Sequence, residues 1–356
     1  MTESREAILV LGMHRSGTSA VARVLNLLGG AISEDLLPAD AYNETGYWES
    51  EELMRVHQEI FLSYGHDWHH AHSLPPGWWL ANGHQRYRDE ILGILERDFG
   101  DIQLFVVKDP RVSLLVPLWL EVLERFDAKP RFVLALRSPL EVAASLGRAH
   151  GLSASRSHLL WLRYVLEGER WSRGFPRAIV IYDRLLEDWR SLMPATFEAL
   201  RVDWPNSFEQ RAMAVDEFLS PAHRHHSASS EDLDARADVP VWVKTTYRAM
   251  QGLVEGRTKE SLAALDAVHQ QLEAADAAFS AELADGLEFH RLGNESARLA
   301  RELATARAEG EAVREDLEAA RAEIEEMLSS RSWRLTAPLR RLRQGLWPAK
   351  RDDNDN

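Results

Sequence analysis

Five apolar residues in a row, Ala7 to Leu11, stop at Gly12, and after a short polar loop the stretch Thr18 to Leu28 repeats its apolar residues at helical spacing. Strand, glycine loop and helix therefore follow one another. Leu104–Val107 and Phe132–Leu136 are two further runs of buried-strand type, each ending at a charged residue and each followed by a helical pattern. A fourth, Ala178–Tyr182, leads into the helical segment after Asp183. Strands alternating with helices predict an α/β fold, a parallel sheet with helices on both faces whose ligands sit beyond the carboxyl ends of the strands.

Between the first helix and the second strand lies a tract rich in Trp, His and Pro, from Ser33 to Asp101. Its spacing predicts a helix around Glu51–Ser63, with the rest, including HDWHHAHSLPPGWW, irregular. Insertions of this kind shape substrate clefts. After Val254 the composition turns to Ala, Glu, Arg and Leu, and a heptad runs through Leu292, Leu299, Ala306, Val313, Ala320 and Met327 on one line and Leu303, Leu317 and Ile324 on the other. A long α-helical coiled-coil extension is expected, with an alanine-rich seam that includes Gly310. Such a helix must pair, either with a second chain in a homo-oligomer or with a folded-back helix around Ser261–Leu283. The predicted division is 1–254 for the sheet domain, 255–330 for the helical extension and 331–356 for a tail. From Arg331 to Arg351 that tail has only basic charges, interleaved with Trp333, Leu335, Leu339, Leu342, Leu346 and Trp347. This pattern suits a membrane surface or an acidic partner, and a solvated tail is the plain alternative.

Composition narrows the chemistry. The 356 residues include no cysteine, so disulfides, thiolate metal sites and cysteine nucleophiles are excluded, in keeping with a reducing, cytoplasmic setting. MTESREAILV shows no signal-peptide cleavage pattern, so export by that route is not expected. No apolar run reaches bilayer-spanning length. A net charge of −14 speaks against nucleic acid as a partner, and any polyanion must be held locally.

The local candidate is LVLGMHRSGTSAV. Gly12, Gly17, Thr18 and Ser19 have the glycine spacing of a phosphate-binding loop, but Thr18 stands where a nucleoside-triphosphate enzyme carries lysine. Backbone N–H groups at the helix start still favour an anion, and Arg15 beside Ser16 offers a guanidinium to it. A tight turn with a surface arginine is the bland reading. At the next strand ends stand Lys108, Asp109 and Arg111, then Arg137 with Ser145 eight residues on. Lys108 and Asp109 read equally as a structural ion pair, and Asp109 alternatively as a magnesium ligand. His66, Asp67, His69, His70 and His72 crowd one segment and His223, His225 and His226 another, without the spacing of a metal site.

GMHRSGTSAVARVL resembles the 5'-phosphosulfate loop of sulfotransferases that use 3'-phosphoadenosine 5'-phosphosulfate (PAPS), in its arginine-bearing form. That donor has no triphosphate, which accounts for the missing lysine. The resemblance implies that Arg15, Ser16, Gly17, Thr18 and Ser19 hold the 5' end, that Arg137 and Ser145 of FVLALRSPLEVAASL hold the 3'-phosphate, and that Lys108 lies near the bridging oxygen. It implies Glu49, in NETGYWESEEL, as the base, with His69 or His70 in reserve, and no metal. IVIYDRLLEDW is similar to a structural segment of the same family. The resemblance covers Ala7 to Arg201 and lacks the Arg-Lys-Gly closure motif near Pro221. SSRSWRLTAPLRRLR resembles the C-terminus of bacterial surface-polysaccharide assembly enzymes, implying a glycan hydroxyl as acceptor and docking at the inner face of the membrane. A kinase of the P-loop type and a non-catalytic coiled-coil scaffold are the alternatives.

Overall fold

The computed structural model describes residues 5–340 apart from 41, 44, 71, 205–207 and 220–229, with side chains left undescribed at 230–232, 280–298 and 300–301. The chain divides into two units, Met1–Ala278 and Phe279–Asn356.

In the first unit, β1 (Arg5–Leu11) leads through the glycine loop into α1 (Thr18–Leu27). The tract that follows carries α2 (Glu51–Leu62) and α3 (Gln85–Phe99) before β2 (Leu104–Lys108). Next come α4 (Val112–Arg125), β3 (Ala128–Leu136), α5 (Pro139–His150), α6 (Ala154–Ser172) and β4 (Arg177–Ile181). Helices α7 (Tyr182–Leu200), α8 (Phe208–Phe218), α9 (Ser230–Ala235) and α10 (Val241–Val254) complete it, followed by the start of α11 (Thr258–Ser329).

The four strands are parallel in the order β2-β1-β3-β4. Alternation along β1 builds two cores. Ala7, Leu9 and Leu11 face a large one with α2, α3, α4, α5, α6 and α10, whereas Ile8 and Val10 face a smaller one with α1, α7 and α8. Because all five are fully buried, β1 reads as a continuous apolar run rather than an alternating one.

Two expectations need correction. β3 starts at Ala128, not Phe132: Ala128–Arg131 pairs with β1 alone, since β4 joins only at the Phe132–Arg177 pair, so Lys129 and Arg131 could stay charged and, with Pro130, hid the strand. The tract before β2 is not irregular throughout, because Tyr87, Ile91, Ile94 and Leu95 form the buried stripe of α3. The segment around His66–Trp79 is irregular, as expected, apart from a short 3-10 turn at Trp78–Leu80.

The first turns of α11 bury Leu265, Val268 and Leu272 in the larger core. The apolar face of the stretch around Ser261 is thus already used, and the heptad stretch belongs to the same 72-residue helix. Residues Arg331–Leu335 form α12, and the tail beyond residue 340 lies outside the described residues. Among the described residues no helix is long and apolar enough to cross a membrane.

Candidate functional site

A cavity of about 280 Å³ opens at the carboxyl ends of β1, β2 and β3. Its lining includes Arg15, Gly17, Thr18, Ser19, Glu49, Lys108 and Arg137, which the chain supplies from four separate segments.

The loop after β1 is held in a conformation few side chains adopt. Gly12 and Gly17 have φ of 142° and 86°, and Arg15, without a glycine's freedom, has φ of 69°. A Cβ at Gly17 would lie 2.2 Å from the Tyr182 ring, so this glycine is required by a neighbour as well as by its backbone. Gly12 N–H donates to Ser113 Oγ at 2.8 Å, and Ser16 N–H to the Met13 carbonyl at 3.1 Å, which fixes the turn. Val21 N–H is the first to find an intrahelical acceptor, Gly17 O, so the N–H groups at the head of α1 face the cavity end without helical partners.

Arg15 reaches α5, where its Nε donates to Ser145 Oγ at 2.9 Å. Arg137, at the end of β3, donates from Nη1 to the Arg15 carbonyl at 3.2 Å and from Nε to Glu141 Oε2 at 2.7 Å, and its guanidinium lies 4.6 Å from the centre of the Tyr182 ring. Burial lowers the pKa of Arg15, and Arg137 nearby lowers it further; both favour an anion between these groups. Ser16 Oγ and Ser138 Oγ, both buried, have no hydrogen-bond partner among the described residues. Neither of these serines lines the cavity, so the donor set facing it, suited to phosphate or sulfate oxygens, is the two guanidiniums and the free helix-start amides.

Glu49 precedes Ser50, whose side chain caps α2 by accepting from Leu53 N–H. The carboxylate itself turns away from that helix and pairs with Lys108. Lys108 also donates to Ser19 Oγ at 3.2 Å and the Tyr47 carbonyl at 3.0 Å, so its three N–H groups are all engaged. Of the two readings of Lys108 and Asp109, the ion pair between them is therefore not the one formed. Glu49 is almost wholly enclosed, and burial pushes its pKa up against the opposing pull of Lys108, with Asp109 raising it and Arg111, 3.7 Å away, lowering it.

Asp109 sits behind this pair. It accepts from Arg111 N–H at 2.9 Å and from Arg111 Nη1 at 3.0 Å, and His57 Nδ1 lies 2.7 Å from its other oxygen. Trp119 Nε1–H, which can only donate, is 3.0 Å from His57 Nε2. His57 therefore accepts on Nε2 and donates from Nδ1 to Asp109. Burial raises the Asp109 pKa, but Arg111 and His57 outweigh it and hold the carboxylate ionised well below its usual range. Both oxygens of Asp109 are taken up, which leaves it poorly placed as a magnesium ligand.

Aromatic rings complete the cavity. His14 is half-buried against Trp68 with ring centres 4.4 Å apart, and His150 lies 5.0 Å from the same indole. Burial, aided by Arg111, keeps His14 neutral, its pKa pushed well below the usual histidine range. His69 and His70 are not in the lining; His69 pairs with Asp67 and His70 stacks on His66, its pKa lowered by burial to about 4. Among the described residues no group of three or more His, Asp or Glu is placed to hold a metal ion, and His223, His225, His226 and Pro221 lie outside them.

The sequence does not point to His57, nor to Tyr182 as a cavity residue: the resemblance makes IVIYDRLLEDW structural, yet its Tyr182 lines the cavity against Gly17 and Arg137. His57 carried a signal only in hindsight, as a polar residue on the buried stripe Leu53, Val56, Ile60 of α2.

Fold and cavity together define an α/β protein with an arginine-bearing glycine loop between its first strand and helix. No protein-family model matches the chain, and no curated protein does. Solved structures similar to it include the sulfotransferase domain from the Synechococcus PCC 7002 olefin synthase, at TM-score 0.40 and 16% identity over 68% of this chain and 93% of that chain. The sulfotransferase domain from the curacin biosynthetic pathway is similar at TM-score 0.33 and 16% identity, over 57% of this chain and 76% of that one. The chemistry of the cavity rests on its own side chains.

Proposed function

We propose that the chain is a sulfotransferase that moves the sulfuryl group of PAPS to a carbohydrate hydroxyl. The observation that carries this reading is the convergence of Arg15 and Arg137 on a lysine-free glycine loop, in the same cavity as the buried Glu49–Lys108 pair, with Ser145 behind the lining as the acceptor that holds Arg15. In this assignment Arg15, Ser16, Gly17, Thr18 and Ser19 hold the 5' end of the donor, and Arg137 with Ser145 the 3'-phosphate.

The donor brings a sulfuryl group on a phosphate leaving group. Glu49 takes the acceptor proton as the acceptor oxygen bonds to sulfur and the bond from sulfur to the bridging phosphate oxygen breaks, leaving its electron pair on the phosphate. Arg15 and the helix-start amides hold that charge, and Lys108 exchanges part of its grip on Glu49 for it as the carboxylate becomes neutral. Arg111, tied to Asp109, stays to orient Glu49. For the acceptor, Trp68, Tyr47, His14 and His150 supply ring faces of the kind that stack on sugars. The exposed Trp333, Leu335 and Leu339, interleaved with Arg331, Arg334 and Arg340, are assigned to docking on an anionic membrane surface.

The test is calorimetric titration with adenosine 3',5'-bisphosphate beside ATP with magnesium and AMP. Tight binding of the bisphosphate alone is expected. Preference for magnesium-ATP would turn the reading to a kinase, and no binding at all to a non-catalytic scaffold.

A further inference from the structure

The second unit carries a face that the proposed reaction does not use. On α11, Leu299, Leu303, Val313, Leu317, Ile324 and Met327, with Ala306, Gly310 and Ala320 between them, fall on alternating steps of four and three, and the six large ones are all exposed, Val313 by 67% and Leu317 by 51%. Large apolar side chains at that spacing on one helix are a seam in search of a partner.

The charges beside the seam identify the partner. With Leu303, Gly310, Leu317 and Ile324 at heptad position a, and Leu299, Ala306, Val313, Ala320 and Met327 at d, position g is held by Glu302, Glu309, Asp316 and Glu323. Position e is held by Arg307, Arg314 and Arg321. One flank of the seam is thus acidic and the other basic along its length. In a parallel, in-register pair each g residue faces the e residue five positions on in the other chain, giving Glu302 with Arg307, Glu309 with Arg314 and Asp316 with Arg321, twice over by symmetry. An antiparallel pair would set g against g and e against e, acid facing acid and arginine facing arginine. No other sequence is needed to complement this face, because the chain complements itself.

We propose that a second copy of this chain covers the seam, in a parallel two-stranded coiled coil over residues 299–327. Small residues, Ala306, Gly310 and Ala320, interrupt the seam, so the helices meet closely but bury less than a leucine zipper does, and the dimer forms reversibly. This inference is independent of the reaction assigned to the cavity.

Sedimentation equilibrium on the full chain reads the assembly directly. The expected mass is that of two chains. Arg307→Glu, Arg314→Glu and Arg321→Glu together change only exposed residues and turn six attractions into repulsions, raising the dimer dissociation constant on the order of 100-fold. Glu302→Arg, Glu309→Arg and Asp316→Arg together should do the same, and mixing the two variants should restore a dimer. Orientation follows from oxidation of Leu303→Cys, whose thiol is the only one in the chain: a parallel pair cross-links at this site. A wild-type monomer or trimer at micromolar concentration, reversal variants that still dimerise alone, or a Leu303→Cys that cross-links only to Met327→Cys, the a-to-d contact of an antiparallel pair, would each overturn the proposal.

Discussion

Arg15 Nε donates to Ser145 Oγ over 2.9 Å, joining the β1–α1 loop to α5 across 130 residues of chain. The contact ties the glycine loop to α5, and Arg15 is held from its other side through its carbonyl by Arg137.

Arg137→Ala removes a charged donor and the stack on Tyr182 while leaving both cores intact. Affinity for adenosine 3',5'-bisphosphate should fall about 10–100-fold, the value of one to two charge-assisted hydrogen bonds, with the melting temperature little changed. Calorimetry and thermal melting on the same sample decide it; unaltered affinity removes Arg137 from the site.

Glu49→Gln keeps the shape of the buried side chain and loses the base. Bisphosphate binding should persist and transfer should stop. The raised pKa sets the sign of the pH profile: the group is protonated and idle at low pH, and the wild-type rate climbs as pH rises above 4.5 toward the folded-state value. Any stability contributed by the neutral carboxyl runs the other way, complete below 4.5 and lost as pH rises through the folded value. A wild-type rate that is flat across the acid range would exclude Glu49 as the base.

Gly17→Ala puts a methyl group into the Tyr182 ring and a side chain on a backbone with φ of 86°. The backbone strain alone costs about 1–2 kcal/mol, and the displaced ring loosens Arg137. Lowered stability in urea, accompanied by weaker bisphosphate binding, is the expected pair of results; a loss of stability with normal binding would mean that Tyr182 does not support the site.

Asp109→Ala strands Arg111 and His57 without their shared anion. Removing one partner of such a buried cluster costs about 3–5 kcal/mol, readable as a shift in the urea midpoint. Because the folded-state pKa of Asp109 is depressed, its stabilisation is full above 3.8 and fades as pH falls below that value, so the variant and the wild type should converge in acid.

What could be read in advance was local. The strand, glycine loop and helix at Ala7–Leu28 are encoded within one structural unit, and the heptad pattern is visible because a helix repeats itself. Pairings across the fold were not legible. Glu49 meets Lys108 across 59 positions and His57 meets Asp109 across 52, and at the level of sequence Lys108 looked as well matched to its neighbour Asp109. Only the sheet order, which brings the end of β2 beside the loop after β1, and the entry of α2 alongside decide those partners. Tyr182 escaped for a related reason: its role is to fill the space a glycine leaves, and neither residue announces the other.

The cavity gathers Arg15, Lys108, Arg111 and Arg137 on a chain whose net charge is −14. On the proposed function, an anionic donor approaching from bulk solvent meets the repulsion of the whole molecule first and the pull of these cations, offset in part by Glu49, Asp109 and Glu141, only within the last few ångströms, inside a Debye length of about 8 Å at physiological ionic strength. Salt then acts in two senses at once. It screens the far repulsion and speeds capture, and it weakens the near attraction and speeds escape, so that the association rate should climb with ionic strength while affinity falls.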